Sequence, residues 1–192
     1  MDDEKNGGGG VGVKDSEQAL SDLLKYEQKP KAESLLPGSL KIDRLFLYDE
    51  LLDFEIIKRY LNNPKQEMLC YIPTHRVWFP KFFYPKNTGL ASIERTPKGE
   101  DKVWGVTINI TGQDLTRLER YKGAPNRCHV CNVIVFDRGE RRYPARTFVV
   151  SVPDPEPSKP SKEYLSLMVE GARGRGLPED YVKMLESFET LD

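Results

Sequence analysis

The feature that most constrains the fold is a pair of strand-forming runs joined by a tight turn. Residues 128–136 and 146–152 are rich in valine and other residues that favour strands, and Asp137-Arg138-Gly139 after the first run is typical of a turn. Two such runs around a short glycine-containing loop predict a β-hairpin. A hairpin sets its strands antiparallel, so an all-helical fold is excluded.

Shorter elements precede and follow this hairpin. Strands are predicted at residues 45–48, 68–72, 77–84, 89–93 and 102–110, and helices at 51–62, at 161–172 and from residue 178 onward. The first helix is expected to bury Phe54, Ile57 and Leu61, which share one helical face. Residues 153–160 are rich in proline and predict a linker. The pattern predicts an α+β domain with a curled, mainly antiparallel sheet and helices around it.

The clearest helix boundaries follow residue 110. Thr111 and Asp114 have the spacing of a capping box, and Leu115 and Leu118 fall on the buried face. Gly123 stands where a left-handed residue ends a helix. The sequence therefore predicts a helix of about three turns that ends just before Gly123.

The first 40 residues differ in composition from the rest. They contain four consecutive glycines and are otherwise polar and charged, so we expect a flexible tail before a domain that spans residues 41–192. Residues 16–28 carry apolar side chains that predict a short helix. A helix of this length is marginal in water and would need a surface to dock on.

Composition excludes several functional classes. The 192 residues include 29 basic and 30 acidic ones, so a net charge of −1 offers nucleic acid no attractive field. Apolar runs stay far below the roughly 20 residues that cross a bilayer, so no membrane span is expected. Three cysteines and a start without a signal sequence predict a cytoplasmic protein.

Two of the cysteines invite a metal or redox interpretation. Cys128 and Cys131 have CxxC spacing, but residues three apart on a strand point to opposite faces. We therefore expect buried thiols and no metal site. Four arginines around residues 138–146 are expected to be solvated turn charges. The aromatic run at residues 78–84 is expected to pack in the core, with a protein-partner surface as the alternative.

Seven short stretches within residues 44–188 share their order and spacing with one known family. They are LFLY at 45–48, GLASI at 89–93, VWGV at 103–106, DLTRLE at 114–119, PSKEY at 160–164, GA at 171–172 and GLPEDY at 176–181. Together they resemble the gamma-glutamylcyclotransferase family, in particular the branch that cyclises γ-glutamyl amino acids. The resemblance implies a small closed β-barrel with flanking helices and a cavity at one end.

The resemblance also implies a reaction. In the family the α-amine of a γ-glutamyl group attacks its own γ-carbonyl, which gives 5-oxoproline and releases the attached amine. One glutamate is thought to act as both base and acid, and backbone N–H groups of the loop after the first strand hold the glutamyl carboxylate. No cofactor and no metal are implied.

This chain departs from the family at both of those places. Lys122 stands at the position of the catalytic glutamate, and Asp49 stands at the position of the loop glycine, within the expected ligand-binding loop Tyr48, Asp49, Glu50 and Leu51. A lysine of ordinary pKa, about 10.4, is an ammonium at neutral pH and accepts no proton. A cation in the last turn of a helix also suits the helix dipole.

These departures predict a catalytically degenerate relative that serves as a ligand-binding or interaction module. One hypothesis is that an Asp49–Lys122 ion pair closes the old pocket. A second is that the pocket stays open for a γ-glutamyl-like or anionic ligand that Lys122 meets. The alternative function is an active cyclotransferase in which Glu50 or Glu119 serves as the base. A protein partner could bind through residues 78–84 or through the tail.

Overall fold

The computed structural model describes residues 43–61, 64–81, 89–97 and 99–191. The predicted tail over residues 1–40, its helix at 16–28 and the aromatic residues at 82–84 lie outside the described residues. The strands are β1 (Asp43–Leu47), β2 (Gln66–Pro73), β3 (His75–Trp78), β4 (Pro80–Lys81), β5 (Ser92–Arg95), β6 (Lys102–Ile110), β7 (Cys128–Asp137), β8 (Arg142–Val150) and β9 (Asp154–Pro157). The helices are α1 (Phe54–Tyr60), α2 (Gly112–Lys122), α3 (Lys162–Gly174) and α4 (Glu179–Glu186), with a 3-10 helix at Glu50–Leu52.

Five strands close into a barrel in the order β1-β6-β2-β7-β8. Neighbours in this order are antiparallel, and the barrel closes where β8 meets β1 in parallel, with Leu45 opposite Arg146. Two small sheets, β3–β5 and β4–β9, lie outside the barrel order. The predicted α+β class, a small and mainly antiparallel barrel with flanking helices, is confirmed.

The barrel interior is packed with aliphatic and aromatic side chains. Leu45, Val106 and Ile108 are fully buried. Gly105 allows β1 and β6 to approach closely, because a side chain there would overlap the Leu47 carbonyl oxygen and the Phe46 ring. The interior is therefore a core, and any ligand site must lie around it.

The segment after β1 differs from the predicted single helix over residues 51–62. A 3-10 helix comes first, and Asp53 then starts α1 by accepting a hydrogen bond from the Ile56 N–H at 2.9 Å. This restart changes which residues face inward. Phe54 was expected in the core but is 43% exposed, with the Lys58 ammonium 4.3 Å from the ring centroid.

The proline-rich stretch at residues 153–160 is more ordered than a linker. Asp154–Pro157 forms β9, which pairs with β4 at the registers Pro80–Pro157 and Lys81–Asp154. Proline is tolerated in a two-stranded edge pair because no further strand needs its missing N–H. None of the described helices is both long and apolar enough to cross a membrane.

Candidate functional site

Helix α2 carries Lys122 into the protein interior. The Thr111 hydroxyl oxygen accepts from the Asp114 N–H at 3.2 Å, and the Asp114 carboxylate accepts from the Thr111 N–H at 3.0 Å. Gly123 ends the helix in the left-handed region with φ of 69°. The predicted capping box and helix end are confirmed. Lys122 is the last helical residue, and it is 4% exposed.

The loop after β1 brings in two carboxylates. The side chains of Asp49 and Glu50 are only 3% and 5% exposed. Helix α3 packs on the 3-10 helix that holds Glu50, where Gly171 leaves no room for a side chain next to Leu52. Burying two carboxylates is costly unless each finds a charged or hydrogen-bonding partner.

Lys122 is that partner for both acids. Its Nζ lies 2.7 Å from Asp49 Oδ2, and 2.8 and 3.0 Å from Glu50 Oε1 and Oε2. The expected Asp49–Lys122 ion pair is therefore present, and Glu50 joins it. An ammonium has three hydrogens to donate. All three can be used within this cluster, defined here as the Lys122 cluster: Asp49, Glu50, Lys122 and Tyr164.

Tyr164, in the first turn of α3, completes the cluster. Its hydroxyl donates to Glu50 Oε2 at 2.6 Å and accepts from the Ala91 N–H at 3.2 Å. The sequence predicts Tyr164 only as part of the apolar face of a helix. Nothing local in the sequence indicates the hydrogen bond, because Tyr164 and Glu50 are 114 residues apart.

The charges of the cluster are uneven, with one cation against two acids. Burial alone would lower the pKa of Lys122, but Asp49 and Glu50 outweigh it and hold that pKa above its ordinary value. Burial and then the neighbouring Glu50 charge raise the pKa of Asp49 to about 6, against the opposing effect of Lys122. Burial would also raise the pKa of Glu50, yet Lys122 and the Tyr164 hydroxyl together lower it. Lys122 is therefore an ammonium at neutral pH.

A cavity of about 290 Å³ adjoins the cluster. Glu50, Lys122 and Tyr164 contribute to its wall, together with Tyr121 and Arg127. Arg127 lies in the turn after α2 and brings a second cation, which no local sequence pattern indicates. Its volume lies just below the range of about 300–1,000 Å³ in which proteins hold small molecules, so the cavity has room only for a small ligand. The ion pair therefore leaves an open cavity beside it.

The other residues of the predicted loop have different positions. The Tyr48 hydroxyl donates to the Phe148 carbonyl at 2.8 Å inside the core, and Leu51 is also buried there. Of the four loop residues, Glu50 is the one found among the described residues that line the cavity. Glu119, the other acid considered as a base, is not among them.

The cysteines and arginines occupy ordinary structural positions. Cys128 is buried and Cys131 half-buried, both as free thiols, and burial raises the pKa of Cys128 to about 11. A thiol of this pKa is not a thiolate at neutral pH. Arg141 and Arg142 are exposed, as expected, and Arg146 lies 3.3 Å from Asp43.

Comparisons with known proteins point to one family. A sequence model of the AIG2-like family matches residues 102–185. The gamma-glutamylcyclotransferase of Bos taurus is 30% identical over 105 residues, which are 54% of this chain and 54% of that protein. The Homo sapiens protein of the same name is 28% identical over 105 residues, again 54% of each chain. This chain thus spans about half the length of the curated relatives that it matches.

Structural similarity extends further along the chain. A solved gamma-glutamyl cyclotransferase superimposes with a TM-score of 0.70 over 79% of this chain and 90% of its own, at 23% identity. The similarity shows a common fold: the barrel and the helices around it are those of that enzyme. The chain is thus similar to the gamma-glutamylcyclotransferases, in sequence over about half of its length and in fold over most of it.

Proposed function

We propose that this protein is a catalytically degenerate member of the gamma-glutamylcyclotransferase family, which binds a small ligand or a partner instead of cyclising γ-glutamyl substrates. One observation carries the proposal: the buried ammonium of Lys122, at the family's catalytic position, is held by Asp49 at 2.7 Å and by Glu50 at 2.8 Å. Cyclisation needs a group at that position which takes a proton and returns it. A buried ammonium paired with two acids does neither.

The loop donors that would hold a substrate carboxylate are also in use. The Leu51 N–H donates to Asp49 Oδ1 at 3.1 Å, and the Leu52 N–H donates to the Asp49 carbonyl at 2.9 Å. The negative charges of Asp49 and Glu50 would in addition repel an incoming carboxylate. The residues at this site therefore disfavour both functions of the family's site, proton transfer and carboxylate binding.

The open cavity supports a binding role. Lys122 donates its hydrogens to its own acids, so an anionic ligand would have to rely on Arg127 for a positive charge. This revises the expectation that Lys122 itself meets the anion. A γ-glutamyl-like molecule in this cavity would lie against Glu50 and Arg127 without a competent base.

A second candidate, retained cyclisation with Glu50 as the base, is favoured by one observation. Glu50 lines the cavity and is hydrogen-bonded to Tyr164, as a positioned acid–base group would be. Its lowered pKa argues against this role, since a carboxylate stabilised by an ammonium is a weak base.

The test measures 5-oxoproline after incubating the purified full chain with γ-glutamyl dipeptides, γ-glutamyl amines and glutathione. We expect no release from the wild type. Release that Glu50→Gln abolishes would overturn degeneracy and establish the second candidate. The double change Asp49→Gly with Lys122→Glu restores the family's residues at both departures and should create activity if the rest of the pocket survives. Lys58→Glu, on the surface of α1, is the matched charge-reversal control.

A further inference from the structure

A second, larger cavity lies away from the Lys122 cluster. It measures about 860 Å³ and is bounded by the β3–β5 sheet, the start of β6, strand β9 with the residue after it, and helix α4. None of the residues that line it lines the cavity next to Lys122. Its volume lies within the range of about 300–1,000 Å³ in which proteins hold small molecules.

Aromatic rings form much of the wall. Trp78, Trp104, Tyr181 and Phe188 all line the cavity. Phe188 packs edge-on against Phe79 with ring centroids 4.9 Å apart, which fixes that side of the wall. Aromatic faces carry negative electrostatic potential and attract cations. The wall therefore suits a ligand with an apolar body and a positive charge.

The charged residues of the wall favour the same sign. Glu100, Asp101 and Asp180 are exposed side chains that make no ion pair with the part of the chain that the structure describes. The two strong bases of the wall are already engaged. Arg76 lies 2.5 Å from Glu94, and the Lys102 ammonium lies over the Tyr71 ring at 4.4 Å. An entering cation would thus meet three carboxylates that no other described residue neutralises.

Two wall residues also carry buried polar groups that find no good hydrogen bond among the described residues. Trp78 Nε1 and the Tyr181 hydroxyl make no hydrogen bond of normal geometry with the described residues, although the Trp104 main chain approaches that hydroxyl. Tyr181 is only 6% exposed. A buried donor without an acceptor is costly. An ammonium cannot accept from the Trp78 N–H, but it can donate to the Tyr181 hydroxyl oxygen, so Tyr181 is the one of the two that suits a cationic ligand.

We propose that this cavity is a binding site for a small organic cation, an amine with an apolar or aromatic body. The ammonium would lie among Asp101, Asp180 and the aromatic faces, and the apolar body would pack along Trp78 and Trp104. The site is independent of the Lys122 cluster and needs no catalytic step.

The chain offers a built-in reporter for this proposal. Its two tryptophans both line this cavity, so intrinsic tryptophan fluorescence reports on it directly. The purified full chain is titrated with 2-phenylethylamine, with the neutral analogue 2-phenylethanol and with the anion 3-phenylpropionate. We expect the amine to bind about 5–30-fold more tightly than the alcohol. We expect the carboxylate to bind most weakly and the affinity for the amine to fall as salt is added.

Variants localise the binding. Changing Asp101→Asn together with Asp180→Asn should weaken the amine about 3–10-fold and leave the alcohol unchanged. Glu170→Gln, an exposed acid on α3 outside this cavity, should change neither. Equal binding of amine, alcohol and carboxylate, absence of any fluorescence response, or an unchanged amine affinity in a folded double variant would each overturn the proposal. The 5-oxoproline assay does not depend on this site, so failure here leaves the proposed function standing.

Discussion

Replacing Lys122 with methionine tests how strongly the buried cluster depends on its one cation. Methionine keeps the length of the side chain but leaves Asp49 and Glu50 buried and facing each other, with side chains 3% and 5% exposed. Removing one partner of a buried charge pair costs about 3–5 kcal/mol. In a domain of this size 1 kcal/mol shifts the melting temperature by about 2–4 °C, so we expect Lys122→Met to lower it by about 6–20 °C.

The loss should depend on pH. Without the ammonium, burial and mutual repulsion raise the pKa of both carboxyls in the folded variant above their unfolded values. The folded variant then binds more protons than the unfolded chain, so its free energy of unfolding falls as pH rises and recovers as pH is lowered. The difference between variant and wild type should therefore be larger at pH 8 than at pH 5.

Urea unfolding followed by circular dichroism at the two pH values measures this difference. Lys58→Met is the matched control, because Lys58 pairs with Glu55 at 3.4 Å on the surface, where such a pair contributes about 0.5 kcal/mol or less. A Lys122→Met loss below about 1 kcal/mol, or one that stays the same at both pH values, would refute the view that Lys122 neutralises buried carboxylates.

Three further changes test neighbouring features. The pKa of Asp49, raised to about 6, lies above its unfolded value, so its contribution to stability is lost as pH rises through about 6. The free energy of unfolding of Asp49→Asn, measured by urea unfolding, should therefore rise relative to that of the wild type between pH 4.5 and 7.5. The rise should be up to about 1.4 kcal/mol per pH unit. Tyr164→Phe removes the hydrogen bond to Glu50 and should cost about 1–3 kcal/mol in the same assay. Gly105→Ala forces a side chain into the contact between β1 and β6, and should cost more than about 3 kcal/mol or prevent folding, whereas Gly112→Ala, whose added carbon meets nothing, should change the melting temperature little.

Controls accompany these changes. Tyr143→Phe removes a hydroxyl that donates to Asp137 at 3.1 Å in the half-buried hairpin, so it should cost less than Tyr164→Phe. A constant difference between Asp49→Asn and the wild type across the pH range would show that Asp49 does not titrate there. Equal costs for the two tyrosine variants would contradict the special role given to Tyr164.

Local patterns predicted the elements whose ends are marked by short-range chemistry. The bounds of β6 at Lys102–Ile110 agree with the prediction, and α2 begins and ends where Thr111 and Gly123 indicate. These signals lie within four residues of the structure that they specify. The hairpin of β7 and β8 was predicted for the same reason, although β8 begins at Arg142, earlier than the sequence indicates.

Features that depend on distant contacts could not be predicted in full. The ion pair between Asp49 and Lys122 was expected only because a family resemblance placed both positions around one pocket. Glu50 also pairs with Lys122 and accepts a hydrogen bond from Tyr164. These contacts arise from packing of α3 on the loop. The prediction for Phe54 was wrong because Asp53 starts a new helix. The proline-rich stretch was not predicted as strand β9 because its partner strand, β4, is distant in sequence.

The order in which the chain is made has a consequence for how the charges are buried. Asp49 and Glu50 are synthesised 73 and 72 residues before Lys122, and Glu50 precedes Tyr164 by 114. On the ribosome both acids must stay hydrated until Lys122 has emerged, because burying a carboxylate without its counter-charge is costly. Complete dehydration of Glu50 therefore has to wait for the third helix, which carries Tyr164, and the nascent chain carries two uncompensated negative charges until Lys122 has emerged.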